Sequence, residues 1–350
     1  MGTLLRITFV VLAIVVGLCV HKYQELTSSA PIPQLNDAEY WGPGSAAKYK
    51  ENTAIKAFDI SAKPELIEDL KTQLSRPLVL TEPLEGVGFQ YGFNTNYLKE
   101  VVAYWRDTYL PKWSEREAFL KQFPHFETQI QGLRVHFIHV KPKTTSHQMI
   151  YLHKSLRNLF PSLFIKEENR IFFKPFSKEF TFLLEEAGYL LIQASKPDTI
   201  GTTLTQNPVG LAAYILEKFS TWTNPAYKQL EDGGLTKRFT LDELLDNIMI
   251  YYTTNTITTS QRLYSEGYRY AFYAMDLDAT HINVPTGCAR FLHDLMHFTD
   301  AELGLKFKNI VHSTYHKEGG HFPAMEVPQT LYSDFVEFVA KVLRKPQPKQ

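Results

Sequence analysis

The strand signals of this 350-residue chain lie far apart, and that spacing limits its fold more than any other feature. One run, 133–140, alternates polar and apolar residues and then turns mostly apolar, the pattern of a strand. Gln131-Gly132 separates it from the run 126–130, so the two read as a hairpin. The next strand candidates come only at 282–284 and 309–314, each followed by a glycine-containing loop. Most of the sequence between carries helical periodicity, above all 177–272. Strand, helices, strand, strand, helix is the order of an α/β protein with a helical insertion.

Individual helices are legible from their apolar spacing. The segment 65–74 puts Leu66, Ile67, Leu70 and Leu74 on one face, and 96–107 does the same with Leu98, Val101, Val102 and Trp105. Pro111 is expected to break the second helix, and Ser114 with Glu117 reads as the cap of a new one. Residues 149–164 are mostly helical in tendency. Further on, 212–219 forms an amphipathic helix, and 241–253 another, capped by Thr240 with Glu243 at the third position. Asp232-Gly233-Gly234 makes a turn between them. A last helix spans 330–343, and the basic, Pro-rich tail 344–350 is expected to fray.

At the start of the chain, residues 4–20 form a run of 17 residues with Arg6 as the one charge. As a helix it is about 25 Å long, slightly short of a bilayer core of about 30 Å. Arg6, His21 and Lys22 can reach the headgroups from its ends. Gly17-Leu18-Cys19 is a poor small-residue cleavage site, which favours an uncleaved single-pass anchor over a secretory signal.

Composition excludes several function classes. The 37 Lys plus Arg balance 37 Asp plus Glu, so a general nucleic-acid binder has no support. An apolar share of 44% rules out a disordered chain. Two cysteines, Cys19 and Cys288, cannot build a disulfide framework or a thiolate zinc site. Neither a G-x-x-x-x-G-K-[ST] nor a G-x-G-x-x-G loop is present, and there is no H-E-x-x-H. His136 and His139 are an odd number apart, so a strand would point them to opposite faces, poor geometry for a metal.

The candidate chemistry gathers near the C-terminus. In Gly319-Gly320-His321-Phe322, two glycines let the backbone turn sharply and carry an imidazole to a loop tip. An imidazole with a pKa near neutrality is suited to general-base work. Asp294 lies beyond the end of the neighbouring strand segment and could hold that ring in one tautomer. Tyr189 and Tyr264, both in the helical insertion, could polarise an oxygen leaving group; they could equally be packing aromatics among 19 tyrosines.

Several stretches carry a resemblance: Tyr40-Trp41-Gly42-Pro43-Gly44, the region 91–113, Lys196-Pro197-Asp198-Thr199, residues 210–222, Leu230-Glu231-Asp232-Gly233-Gly234-Leu235, and Gly319-Gly320-His321-Phe322 with Glu326 and Pro328. With them the sequence resembles the microsomal epoxide hydrolases, most of all their insect branch, the juvenile hormone epoxide hydrolases. The resemblance implies an α/β-hydrolase fold with a helical cap and an N-terminal meander. Its domains would be an anchor at 1–22, the meander region at 23–130 and the hydrolase domain at 131–350, the cap at about 175–275 of it. It further implies an aspartate that opens the epoxide to an ester, a histidine–acid pair that activates water, and two tyrosines that donate to the epoxide oxygen. His321 matches the base, Asp294 the acid, and Tyr189 and Tyr264 the donors. No cofactor and no metal are implied. The partners would be an apolar epoxide and the lipid bilayer, not nucleic acid; protein partners are left open. The location would be the endoplasmic reticulum membrane, single-pass, with the bulk cytosolic.

One departure is large. The family's His-Gly-Trp-Pro-Gly oxyanion loop and Gly-Gly-Asp-Trp-Gly nucleophile elbow do not occur, and only a short polar join links Val140 to Met149. A block on the order of 100 residues, several strands with their helices, is missing. The nucleophile is therefore absent; Asp198 and Asp232 lie in cap segments. The expectation is a hydrolase sheet without its central strands, with 133–140 and the C-terminal strands abutted or separated by a gap. Exposed strand edges and apolar faces should result. The family activity is epoxide hydrolysis, and this chain is expected not to turn over. The alternative is an inactive truncated isoform or a membrane-bound pseudoenzyme that binds apolar ligands.

Overall fold

Among the described residues helices predominate, and the strands form one three-stranded sheet around the hairpin and one C-terminal pair. The computed structural model describes residues 2–31, 49–138, 148–272 and 280–343, together with 40, 42, 44, 45 and 47. The segment that holds His139, Val140 and the polar join, and the tail 344–350, lie outside the described residues, as do Trp41 and Pro43.

The first helix, α1 (Gly2–Thr27), continues past the apolar run, so its 26 residues are long enough to cross a bilayer. Its window Thr8–Glu25 has a mean hydropathy of 1.3 and none of it is buried against the protein. A short strand, β1 (Lys56–Ala57), opens the meander, followed by the helices α2 (Pro64–Leu74), α3 (Thr95–Tyr104) and α4 (Trp113–Leu120). Asn94 caps α3, its side-chain oxygen accepting the N–H of Asn96 at 3.0 Å and of Tyr97 at 3.3 Å.

Two expectations fail between α3 and α4. Pro111 does not break the helical path. The chain passes through a π turn at Trp105–Tyr109 and a 3₁₀ turn at Leu110–Lys112. Pro111 sits at the start of that 3₁₀ turn, where a missing N–H is tolerated. Ser114 is no cap either: the N-cap position is Lys112, with no side-chain bond. Glu117 instead accepts the N–H of Ala62 at 2.7 Å, tying α4 to the β1–α2 loop.

The hairpin forms where expected. Strands β2 (His125–Ile130) and β3 (Leu133–Ile138) pair antiparallel, and β1 extends the sheet on the β2 side. Gln131 and Gly132 take φ values of 49° and 86°, the two left-handed positions of a tight hairpin turn.

Between β3 and β4 lie α5 (Gln148–Leu159), α6 (Pro161–Phe164) and, in the segment expected to form the cap, α7 (Phe176–Glu186), α8 (Gly188–Ser195), α9 (Pro197–Gln206), α10 (Pro208–Thr221), α11 (Leu241–Thr254) and α12 (Ile257–Glu266). One apolar core joins meander and cap: Leu70, Leu74, Val101 and Trp105 pack with Leu211, Leu216, Leu245 and Ile248. Beneath it Asp246 accepts from Tyr109 Oη at 2.7 Å and pairs with Arg116.

The C-terminal unit holds the parallel pair β4 (Thr286–Phe291) and β5 (Ile310–His316), with α13 (Asp300–Leu303) between them and α14 (Pro323–Glu326) and α15 (Pro328–Leu343) after them. The expected strand at 282–284 is a single bridge from Ile282 to Phe307, and the true strand starts after Pro285. Pro285 has no N–H to give a ladder, so regular pairing begins one residue later. Among the described residues no ladder joins β1–β2–β3 to β4–β5. The parallel sheet is thus two strands wide, the gapped arrangement that the missing motifs imply.

Candidate active site

His321 owes its position to the backbone around it. Gly319 has φ +83°, and a Cβ there would meet Val327 and Phe291. A Cβ on Gly320 would collide with the carbonyl of Trp222. Glu326, one turn into α14, reaches back under the loop. Its carboxylate accepts the N–H of Gly320 at 2.6 Å and of Phe322 at 2.7 Å, the two residues flanking the histidine. Burial raises the Glu326 pKa above the usual carboxylate value, although these two bonds oppose the rise. The N–H of His321 itself donates to the Trp222 carbonyl at 2.9 Å, fastening the loop to the end of α10.

Asp294 lies in the turn after β4, its N–H bonded to Phe291 O at 3.0 Å. One of its oxygens, Oδ1, is 2.9 Å from His321 Nδ1 and also accepts the N–H of Leu295 at 2.7 Å. With Nδ1–H donating to the carboxylate, Nε2 remains an acceptor, the tautomer a water-activating imidazole needs. The side chains are 39% and 34% exposed, so water reaches the pair.

The two tyrosines also converge. Tyr189 begins α8 and Tyr264 lies on α12, and the packing of these helices sets their rings edge to face with centroids 5.9 Å apart. Trp222 links them to the dyad, its ring 5.2 Å from Tyr189 and 4.9 Å from His321, each edge-on. Burial first, and then the neighbouring phenol of Tyr264, push the Tyr189 pKa up, so its hydroxyl stays a donor at neutral pH. Beside this line lies a cavity of about 420 Å³ lined by Phe182, Leu183, Tyr189, Leu190, Trp222 and Met296, with the ion pair Lys154–Glu179 in its wall at 2.6 Å.

The four residues singled out in the sequence thus form a chain of neighbours through Trp222, and of the four Tyr189 lines the cavity. Trp222 and Glu326 were not singled out for this site. Trp222 acts through its carbonyl and ring, which leave no motif of their own, and Glu326 has a signal only in its spacing of six from Gly320. Among the described residues no third carboxylate is hydrogen-bonded to the His321–Asp294 pair. Asp198 is held by Arg262 with two bonds of 2.6 Å, and Asp232 folds onto its own turn, accepting from Gly234 N at 2.9 Å. Among the described residues no group of three metal-type ligands converges. His136 instead contacts His125, ring nitrogens 3.1 Å apart, and its pKa is lowered by burial and then by that neighbour.

Comparison with known proteins shows the family. The family model described as epoxide hydrolase N terminus matches residues 55–158. Juvenile hormone epoxide hydrolase 2 of Ctenocephalides felis is 34% identical over 446 residues, covering 95% of this chain and 95% of that protein. Epoxide hydrolase 1 of Sus scrofa is 32% identical over 419 residues, covering 86% of this chain and 92% of that protein. An alignment of 446 residues cannot be filled by a chain of 350. On the order of 100 residues of the flea protein therefore have no counterpart here, several times the length of an ordinary connection. The crystal structure of juvenile hormone epoxide hydrolase from the silkworm Bombyx mori matches with a TM-score of 0.81 and 30% identity, over 88% of this chain and 99% of that one.

Proposed function

The chain belongs to the epoxide hydrolase family, and on that premise we propose that it keeps the recognition and water-activating parts of an epoxide-opening site without the nucleophile. Its fold is the α/β-hydrolase fold with a helical cap, the parallel sheet reduced to β4 and β5. An apolar epoxide of the juvenile-hormone or xenobiotic kind fits the apolar cavity, with the epoxide oxygen toward the hydroxyls of Tyr189 and Tyr264.

The chemistry divides in two. In the first half a carboxylate attacks one ring carbon, the C–O bond breaks, and a phenol protonates the departing oxygen, leaving an ester. In the second half water, deprotonated by His321 Nε2, attacks the ester carbonyl while Asp294 steadies the imidazolium; the acyl C–O bond then breaks, the imidazolium returns its proton to the leaving oxygen, and diol and carboxylate are released. The 2.9 Å His321–Asp294 contact and the paired rings of Tyr189 and Tyr264 support giving these parts to those residues. The first half lacks its elbow carboxylate, because the Gly-Gly-Asp-Trp-Gly motif does not occur, so the dyad has no ester to hydrolyse. The observation that carries this conclusion is the His321–Asp294 pair at 2.9 Å with neither Asp198 nor Asp232 free to reach it.

The test is diol formation from a lipophilic epoxide by the purified chain, beside equilibrium binding of the same epoxide. Saturable binding with turnover no higher than that of His321→Ala is expected. Turnover clearly above that control would overturn the proposal. The transcript between the codons for Val140 and Met149 supplies a second check. Coding sequence there for both absent motifs would mark the chain as one isoform of an active enzyme.

The α1 helix serves in this proposal as a single-pass anchor in the endoplasmic reticulum membrane, with the bulk of the chain cytosolic. Its uninterrupted exposed apolar surface supports the anchor. Retention in the pellet on alkaline carbonate extraction is expected, and release with an intact N-terminus would rule the anchor out.

A further inference from the structure

The cavity is joined to the anchor by a single helix. On α1, Tyr23 lies among His21, Lys22 and Glu25, where the apolar run gives way to charges, the depth at which lipid headgroups meet the hydrocarbon. There α1 packs on α5, with Tyr23 and His153 rings 6.3 Å apart. The next residue, Lys154, lies in the cavity wall and pairs with Glu179 of α7. The anchor and α7 therefore both touch α5, a helix about 10 Å across. A second tie holds this arrangement, from the N–H of His281 to Ser29 Oγ at 3.1 Å, just past the end of α1.

The surface that α7 and α8 present is apolar. Phe180, Leu184 and Leu191 are 50%, 68% and 70% exposed. The acids of α7 are paired: Glu179 with Lys154, the exposed Glu185 with Lys228 at 2.6 Å, and Glu186 with Thr221 at 2.8 Å. Phe180 and its neighbour Leu183 also line the cavity, so this patch is its rim. An apolar patch continuous with a pocket marks an interaction surface, and an amphipathic helix at headgroup depth finds its partner in lipid.

We propose that the α7–α8 rim lies in the membrane surface and forms the lipid-facing mouth of the cavity, through which an apolar ligand passes from the bilayer. The inference extends the anchor and the binding site proposed above, and the experiment separates it from both. A nitroxide is attached in turn to Cys19 (with Cys288→Ser) and to Leu184→Cys or Leu191→Cys (with Cys19→Ser and Cys288→Ser). The full chain is reconstituted in phosphatidylcholine vesicles. Collision rates with oxygen, which concentrates in lipid, and with a water-soluble nickel chelate are then compared. Oxygen collisions exceeding chelate collisions at Cys19 report the anchor, and the same excess at both rim positions is expected. Chelate-dominated collisions at Leu184→Cys and Leu191→Cys would overturn the proposal, and a lipid-exposed Cys19 beside them would leave the anchor intact. A lipid-exposed rim with a water-exposed Cys19 would support the rim and remove the anchor.

Discussion

The meander–cap body and the β4–β5 unit are held together by different physics. The first is built on one dry core, in which Leu70, Val101, Trp105, Leu216, Leu245 and Ile248 are fully buried and come from segments on both sides of the hairpin. In the second, polar groups are prominent among the ties. Arg157 of α5 pairs with Glu302 of α13 at 2.9 Å, Arg290 with Asp300 at 2.6 Å, and His312, Thr314 and His316 all converge on one oxygen of Asp334. Central strands of a parallel sheet ordinarily supply apolar contact on both faces. Without them, the unit depends on directional bonds, which fail singly and steeply where a core yields by degrees.

The largest expected effect follows from that contrast. Arg157 and Glu302 are each 2% exposed, so Arg157→Met strands a buried carboxylate and should cost about 3–5 kcal/mol. Adding Glu302→Leu should recover a large part of the loss, because the pair is then replaced by apolar matter. Equilibrium denaturation of the detergent-solubilised chain measures both. A single variant as stable as the parent would remove the contrast. In the body, Leu245→Ala should cost about 2–5 kcal/mol through lost burial and the cavity left behind.

What the sequence discloses divides along the same line. Helical spacing located α2, α3, α10, α11 and α15, since each buries one face. The Gln131-Gly132 turn located the hairpin. The two glycines before His321 and the acid after β4 anticipated the dyad because both depend on local backbone chemistry. The Arg157–Glu302 pair had no such signal: its partners are 145 residues apart, and either reads as an ordinary surface charge. Pro111 was misjudged because a π turn is a tertiary solution, one that keeps Trp105 and Tyr109 fully buried. The strand after Pro285 starts later than the sequence suggests because Ile282-Asn283-Val284 carries the β-branched residues, while Thr-Gly-Cys-Ala-Arg-Phe owes its regular pairing to β5.

A pH experiment sharpens the comparison at smaller scale. Burial alone would raise the Asp334 pKa, but hydrogen bonds from Thr314 and His312 outweigh it and hold the carboxylate below its ordinary value. A depressed carboxylate adds stability above its unfolded pKa of about 3.9 and loses it as pH falls through the lower folded value. Acid should therefore loosen the β5–α15 contact below about pH 4. Asp334→Asn should remove that acid limb and cost about 1–3 kcal/mol at neutral pH, as a buried acceptor is weakened under three donors. An unchanged acid limb in Asp334→Asn would show that another carboxylate governs it.

The smallest expected effect comes from a motif that occurs in both regions. Thr240 and Glu243 form a capping box at the start of α11, and Thr299 and Glu302 form the same box at the start of α13. In the first, the Thr240 N–H donates to Glu243 at 2.8 Å and the Glu243 N–H to the Thr240 hydroxyl at 3.2 Å, and α11 continues for 14 residues over the apolar core. In the second, the carboxylate oxygen that accepts the Thr299 N–H at 2.6 Å is the one that receives Arg157, and α13 is only four residues long. Losing the hydroxyl in Thr240→Ala removes the acceptor of the Glu243 N–H and a donor to its exposed carboxylate, at a helix end that packing still holds, and should cost about 1 kcal/mol. Thr299→Ala removes a donor to the buried carboxylate that binds α5 to the sheet, and should cost more, about 1–3 kcal/mol. Equal losses in the two variants would mean that Glu302 draws its position from Arg157 alone, and that the capping box adds no more in the polar unit than in the apolar one.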